Sequence, residues 1–163
     1  MKKVIKCGQF FDSNTGKVLK DIAVVIDGNK ITEVAPAADV CCKDAEVIDL
    51  SGKFVMPGLI DAHVHINMNG EASMQYAVTS DATAAINSMI YAQRDLMAGF
   101  TTLRDEGAQG YSDVAVRDAI NAGKIVGPRI SCSGEAIGGT GGHADSHFLP
   151  CVTGKHAFGQ IID

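Results

Sequence analysis

Two histidines one residue apart, His63 and His65, are the residues of this sequence best suited to metal chemistry. They close the stretch VMPGLIDAHVHI, in which an apolar run follows a Pro-Gly step. Because side chains alternate across a β-strand, we expect Asp61, His63 and His65 on one face if residues 59–65 are extended. Two imidazoles aimed at one point suit Zn²⁺ or another borderline divalent cation. The spacing therefore predicts a metal site, with two structural histidines as the alternative.

The first 56 residues have the pattern of β structure. Short runs rich in valine and isoleucine are separated by turn-forming residues. A Gly-Asn centre at positions 28 and 29 predicts a hairpin, and Ser51-Gly52 predicts a turn between the last two strands. The predicted strands are VIKCGQFF, KVLKDIAVVIDG, KITEVA, AEVIDL and KFVM.

The pattern changes after Pro57 to strands that alternate with helices. Residues 81–98 are alanine-rich, and Asp81 and Gly99 are suited to begin and end a helix there. Ile86, Met89, Ile90 and Met97 recur at helical spacing within it.

The strand-like run FTTLRD follows, and then residues 112–123 predict a second helix with Ser112 or Asp113 as its cap and Gly123 as its stop. GPRISCSG predicts another strand, and the residues after it have a loop-like, glycine-rich composition. Alternation of this kind indicates parallel βα units.

Three motifs in this order resemble the metal-dependent amidohydrolase superfamily. PGLIDAHVH resembles the first barrel strand of that family, GFTTLRDEG the second strand, and GPRISCSGEAIGGTGGHAD the third strand and its loop. The combination is similar in particular to imidazolonepropionase-like and prolidase-like members, including Xaa-Pro and Xaa-Arg dipeptidases.

The resemblance implies a (β/α)₈ TIM barrel preceded by strands of a small β-sandwich. It implies that His63 and His65 bind the more buried of one or two Zn²⁺ ions and that His143 contacts the substrate. The implied reaction is hydrolysis of an amide or peptide C–N bond by a metal-activated water. The bridging lysine, the later histidines and the aspartate that acts as acid and base in this family are expected beyond residue 163.

Length sets a limit on this interpretation, because a complete barrel takes on the order of 250 residues. We therefore interpret residues 1–56 as the N-terminal part of the β-sandwich and residues 57–163 as the first three βα units of an incomplete barrel. Such a chain is expected to be inactive alone. The alternatives are a non-catalytic binding or assembly module and one half of a split enzyme. The expected partners are a dipeptide or other small-molecule substrate and either further copies of the chain or a completing C-terminal chain.

Composition disfavours several other classes of function. The net charge is −5 and the basic residues are scattered, which argues against nucleic acid as a partner. No apolar run has the length of a membrane span or of a secretory signal. Five cysteines without a CxxC spacing indicate reduced thiols and a cytoplasmic protein.

Several polar residues near the motifs have two possible roles. Asp61 could orient a ligand histidine, although a structural role is favoured. Asp105 is expected to pair with Arg104 or with a nearby backbone amide. Glu106 and Glu135 are expected in solvent or in salt bridges, and His147 and His156 on surface loops.

Overall fold

The structure, a computed structural model, describes residues 2–70, 79–140, 142–144 and 159–161. The chain divides into two compact units, Met1–Pro57 and Gly58–Asp163. The predictions for His147 and His156 lie outside the described residues. Within the described part of the chain, no helix is long and apolar enough to span a membrane.

The first unit is a four-stranded sheet in the order β3-β2-β1-β4. β1 is antiparallel to β2 and parallel to β4, and β2 is antiparallel to β3. A small core covers one face of the sheet, formed by Val4, Ala23, Val25 and Val40. The strands are β1 (Lys2–Asp12), β2 (Lys17–Asp27), β3 (Lys30–Pro36) and β4 (Glu46–Val55).

The predicted hairpin is confirmed, whereas the predicted turn at Ser51-Gly52 is wrong. Asp27 pairs with Lys30, so Gly28 and Asn29 are the two loop residues. The runs AEVIDL and KFVM form one strand, β4, because the turn-forming pair is accommodated as a bulge in its pairing with β1. Gly8 of β1 permits this bulge, since a Cβ there would overlap the Ser51 carbonyl group.

The second unit begins with the predicted alternation of strands and helices. Its parallel sheet has the order β5-β6-β7. Two helices cover one face of this sheet, and the core between them contains Ile66, Ala92, Leu103, Val116 and Ile130. The elements are β5 (Leu59–Val64), α1 (Asp81–Met97), β6 (Phe100–Asp105), a 3₁₀ turn (Gln109–Tyr111), α2 (Ser112–Asn121) and β7 (Arg129–Ser131).

The glycine-rich C-terminal region is not entirely loop. Strand β8 (Ala136–Gly138) pairs in parallel with β9 (Gly159–Ile161). No helical or alternating hydrophobic pattern marks these short strands in the sequence, because three-residue strands are defined by their partner and not by periodicity.

Helix α1 buries mainly small side chains, and of the large apolar residues at helical spacing Met89 packs against the core. Its fully buried residues are Ala84, Ser88 and Ala92. Ile86 and Met97, by contrast, are 56% and 85% exposed. Small side chains let the helix pack closely, and Ser88 satisfies its hydroxyl group within this contact. Its Oγ donates to the Ala84 carbonyl oxygen at 2.8 Å and lies 3.0 Å from the Ser112 Oγ on α2.

The predicted N-caps of both helices are wrong by one residue or more. Ser80, not Asp81, caps α1, and its Oγ accepts the backbone N–H of Thr83 at 3.2 Å. Helix α2 begins after Tyr111, which is left-handed at φ 54° and makes no side-chain capping bond. Its predicted cap Asp113 is instead completely buried inside the unit.

Candidate metal site

His63 and His65 lie together where β5 ends. Their ring centroids are 5.4 Å apart and the rings meet edge to face at 77°. The neighbouring Val64 and Ile66 pack into the core beneath the helices, so the two imidazoles lie on the opposite side of the strand. His63 is exposed and His65 is half-buried. The local alternation therefore brings the two predicted ligands together.

A bulge removes Asp61 from the face of the imidazoles. Asp61 pairs with Leu103, and Val64 pairs with Asp105. Three steps along β5 thus match two steps along β6, and the extra residue reverses the alternation between Asp61 and His63. The expectation that Asp61, His63 and His65 share one face is therefore wrong.

Asp61 contacts the backbone of the neighbouring His63. Its Oδ1 accepts the backbone N–H of His63 at 3.1 Å. Burial, followed by the negative charge of Asp61, raises the pKa of Asp95 on α1, while Arg94 opposes the shift. Asp61 therefore fixes the bulge and interacts with the helix layer, and its described hydrogen bond goes to backbone and not to an imidazole.

Arg104 of β6 stabilises the same bulge from the neighbouring strand. Its Nε donates to the carbonyl oxygen of Ala62 at 2.8 Å, and it forms an ion pair with Glu106 at 2.5 Å. Because a bulge leaves backbone groups outside the regular ladder, this donor replaces a ladder hydrogen bond. The predicted salt bridge of Glu106 is confirmed.

The ring of His65 is held in one tautomer. Its Nδ1 lies 2.8 Å from the Gly107 carbonyl oxygen. A carbonyl oxygen only accepts, so this hydrogen bond requires the proton on Nδ1, and in the neutral ring it leaves the Nε2 lone pair available. Metal-binding histidines characteristically donate their second nitrogen to a carbonyl or a carboxylate in this way. The donor chemistry of His65 therefore fits a ligand to a divalent cation.

Asp105 links the ends of β5 and β6. Its two oxygens accept the backbone N–H groups of Ile66 and Gly107, each at 2.8 Å, and it is 1% exposed. This confirms the expected pairing with backbone amides, while Arg104 pairs elsewhere. Burial raises the pKa of the Asp105 carboxyl group, and the two amide hydrogen bonds oppose that shift.

The remaining candidates do not complete a metal cluster. His143 is exposed in a turn, and none of the described contacts joins it to the histidine pair. Within the described ranges, no group of three or more His, Cys, Asp or Glu side chains could hold a metal ion. The chain's described residues thus fit two ligands of a site.

Sequence reasoning missed Asn67, two residues beyond the histidine pair. Asn67 is 2% exposed, and its Oδ1 has no hydrogen-bond partner among the described residues. The available signal was an amide residue immediately after the end of a strand. Polar residues at that position of a parallel βα unit lie where such folds build their sites.

Parallel strands that alternate with helices, with polar groups gathered at the carboxyl end of the first strand, form an α/β architecture that places polar groups where barrel enzymes of this class have their active sites. The family model described as "Amidohydrolase family" matches residues 54–152, and this chain belongs to that family. The resemblance seen in the three motifs is thereby confirmed, and the family is one of hydrolytic enzymes. The structural neighbours also confirm the fold class, a mixed sheet followed by parallel βα units of a TIM-barrel enzyme.

Comparison with individual proteins gives the extent of the similarity. Ochratoxinase of Aspergillus niger is 31% identical over 140 residues, which cover 83% of this chain and 28% of that protein. A Xaa-Pro dipeptidase with bound methionine in its active site matches with a TM-score of 0.82 and 36% identity, over 89% of this chain and 36% of that one. A prolidase complexed with N-methylphosphonate-L-proline matches with a TM-score of 0.82 and 34% identity, over 100% of this chain and 41% of that one. The chain therefore spans well under half the length of these relatives.

Proposed function

We propose that this chain contributes His63 and His65 to the metal centre of a hydrolase that cleaves amide or peptide C–N bonds. The observation that carries the proposal is the edge-to-face imidazole pair at the end of β5, in which the His65 Nδ1–H is donated to a carbonyl oxygen. Membership of the amidohydrolase family supports the same assignment.

A divalent cation at these histidines, with Zn²⁺ as our proposal, would supply Lewis acidity that polarises a carbonyl oxygen and lowers the pKa of water. The chain's own residues prepare that position. His65 presents Nε2 with its lone pair free, and the bulge fixed by Asp61 and Arg104 turns His63 to the same side. Further ligands and the acid–base group are proposed to come from polypeptide outside these 163 residues, since a catalytic zinc site takes about three protein ligands.

The names of the relatives support a dipeptide as the substrate. The two structural matches quoted above are a Xaa-Pro dipeptidase and a prolidase. We propose a prolidase-like dipeptidase, with Xaa-Pro or Xaa-Arg dipeptides as substrates and with His143 in contact with the substrate. The exposure of His143 on a turn is compatible with that role.

Exposed apolar side chains support the proposal that further polypeptide covers the second unit. Ile60 of β5 is 70% exposed on the sheet face opposite the helices. It pairs with Thr102, whose neighbour Leu103 lies in the helix-covered core. A completing chain or a second copy of this chain would remove this apolar surface from water. Sedimentation of the purified 163-residue chain over a range of concentrations tests this, because a chain that stays monomeric throughout contradicts self-association.

Metal binding is tested by titrating the histidine-labelled chain with Zn²⁺ while recording ¹⁵N–¹H spectra of the imidazoles. We expect the resonances of His63 and His65 to shift together, and His143→Ala to bind as the wild type does. Alanine at either position 63 or position 65 is expected to weaken binding at least about tenfold, since loss of an outer-shell partner alone costs about 10- to 100-fold. Shifts at other histidines, with His63 and His65 unaffected, would refute the assignment.

Activity is tested separately by amine release from Xaa-Pro and Xaa-Arg dipeptides. The 163-residue chain is expected to be inactive alone, and the protein that contains it together with the missing ligands is expected to be active. Hydrolysis by the monomeric 163-residue chain with a full metal complement would contradict the proposal that the site needs further ligands.

A further inference from the structure

We infer that Asp105 is the positioning residue for His65. This inference rests on the proposed function only in assigning a purpose to the arrangement, since the arrangement itself is a matter of hydrogen bonds. Asp105 makes no described hydrogen bond to either imidazole, although the charge of His65 opposes the rise that burial causes in the pKa of the Asp105 carboxyl group. It acts through the backbone on both sides of the His65 ring.

The first side is the peptide group that joins His65 to Ile66. The Ile66 N–H is donated to Asp105 Oδ2 at 2.8 Å. This bond fixes the plane of the peptide that follows the Cα of His65 at the point where β5 ends and regular strand pairing stops. The direction in which the His65 side chain leaves the backbone is thereby set by a side chain of the neighbouring strand.

On its second side, Asp105 fixes the carbonyl group of Gly107, which accepts the hydrogen bond of the His65 ring. The Gly107 N–H is donated to Asp105 Oδ1 at 2.8 Å, and the Gly107 carbonyl oxygen accepts the His65 Nδ1–H at 2.8 Å. The Glu106 N–H, donated to the Val64 carbonyl oxygen at 3.0 Å, holds the intervening segment against β5. One carboxylate thus fixes both the base of the His65 side chain and the oxygen that selects its tautomer.

Glycine is required at position 107 for this arrangement. Its φ of 152° is one that L side chains rarely adopt, and a Cβ there would lie 2.8 Å from the Ala136 Cβ. The sharp turn after β6 brings the Gly107 N–H back to Asp105 while its carbonyl group faces His65. The position of that carbonyl group therefore depends on the carboxylate.

A buried carboxylate is a costly means of fixing backbone unless both of its oxygens are satisfied. Asp105 is 1% exposed, and each oxygen accepts one amide. Replacement by asparagine keeps the shape of the side chain but places an NH₂ group against one backbone N–H, so that one of the two bonds is lost. Asp105→Asn should therefore release either the peptide after His65 or the Gly107 carbonyl group.

Asp113 provides a matched control for this substitution. It is 0% exposed, and its oxygens accept the N–H groups of Val114 at 2.8 Å and of Gly134 at 2.9 Å. Asp113→Asn thus makes the same chemical change in the same unit and removes the same kind of bond. Asp113 makes no described hydrogen bond of its own to His65, Ile66 or Gly107. It reaches that segment indirectly, because its charge adds to the effect of burial in raising the pKa of Asp105 and the Gly134 carbonyl oxygen accepts the Ala108 N–H at 2.8 Å. A general loss of stability should affect both variants, whereas a loss of positioning should affect Asp105→Asn alone.

The test is ¹⁵N NMR of the imidazoles in the metal-free chain, followed by Zn²⁺ titration. In the wild type we expect the His65 Nδ1–H tautomer to dominate and its proton to exchange slowly with solvent. In Asp105→Asn we expect a mixture of tautomers, fast exchange of that proton and Zn²⁺ binding weakened by about 10- to 100-fold, the range for loss of an outer-shell partner. In Asp113→Asn we expect the wild-type tautomer and affinity.

Retention of the wild-type tautomer and affinity in a folded Asp105→Asn would overturn the inference. If Asp105→Asn does not fold, the wild-type chain provides the test. Rapid exchange of its His65 Nδ1 proton with solvent would also overturn the inference. The tautomer is recorded without metal, so it tests the positioning role independently of metal binding. A wild-type chain that shows the Nδ1–H tautomer, but in which Zn²⁺ shifts other histidines and leaves His63 and His65 unaffected, refutes the proposed function and leaves the positioning role standing.

Discussion

Replacement of Gly58 by alanine places a methyl group against Thr101 at the start of β5. A Cβ at position 58 would lie 2.7 Å from the Thr101 Cβ and would overlap both γ atoms of that side chain. Rotation of Thr101 does not relieve the contact, because a β-branched side chain always has a heavy atom in two of its three γ positions. The strand that carries the histidines must therefore shift relative to β6.

The expected cost follows from two opposing terms. Overpacking of this kind typically costs about 1–3 kcal/mol. Restricting the unfolded chain by exchanging glycine for alanine returns about 0.4–1 kcal/mol where the backbone conformation allows alanine. We expect a net loss of about 1–2 kcal/mol in the free energy of unfolding, which corresponds to a change of roughly 5- to 30-fold in the unfolding equilibrium.

Tyrosine fluorescence during urea unfolding reports on the second structural unit, which contains Gly58. The chain has no tryptophan, and its three tyrosines all lie within Gly58–Asp163. Gly52→Ala is the control, because a Cβ there meets nothing within 4 Å; its effect in the first unit is followed by far-UV circular dichroism. Combining Gly58→Ala with Thr101→Ala should restore part of the lost stability. If Gly58→Ala is no less stable than the wild type, or if removing the Thr101 γ atoms gives no recovery, the steric explanation is wrong.

Three further predictions concern the second unit. Leu103→Ala removes a side chain that is 1% exposed in the core and should lower the free energy of unfolding by about 2–5 kcal/mol in the same fluorescence assay; a loss below 1 kcal/mol would contradict the described packing. Ser80→Ala removes the N-cap bond to Thr83 and should cost about 1 kcal/mol, whereas Ser80→Asp should retain most of the stability; equal losses in both variants would contradict the capping role. Burial and the charge of Asp113 raise the pKa of the Cys132 thiol from 9.0 to about 12, so this thiol stays protonated at pH 9, where an ordinary cysteine is half ionised. Iodoacetamide at pH 9 should therefore modify the exposed Cys41 at least about 100-fold faster than Cys132, as measured by mass spectrometry of the peptides, and equal rates would contradict the pKa shift.

Local patterns predicted the elements of this chain well where the physical cause is itself local. The Gly28-Asn29 hairpin follows from the conformational freedom of two loop residues, and the end of α1 at Gly99 follows from its φ of 105°. The joint position of His63 and His65 follows from the two-residue period of a strand. The family resemblance was also readable, because the motifs surround these same strand ends.

Local sequence patterns did not predict which face of α1 is buried. Hydrophobic periodicity favours the face with Ile86 and Met97, while the structure buries Ala84, Ser88 and Ala92. Close packing against the sheet and α2 selects small side chains, and that selection depends on the distance between elements that are remote in sequence.

The surroundings of the histidine pair show the same distinction. One short stretch of sequence was enough to identify the two candidate metal ligands, because strand alternation involves only neighbouring residues. The register between β5 and β6 determined the positions of the two aspartates. It placed Asp61 on the face of the strand opposite the imidazoles and Asp105 within hydrogen-bond distance of two backbone amides. Hydrogen bonds between residues some 40 positions apart hold His65 in one tautomer, and such bonds exist only once the two strands lie side by side.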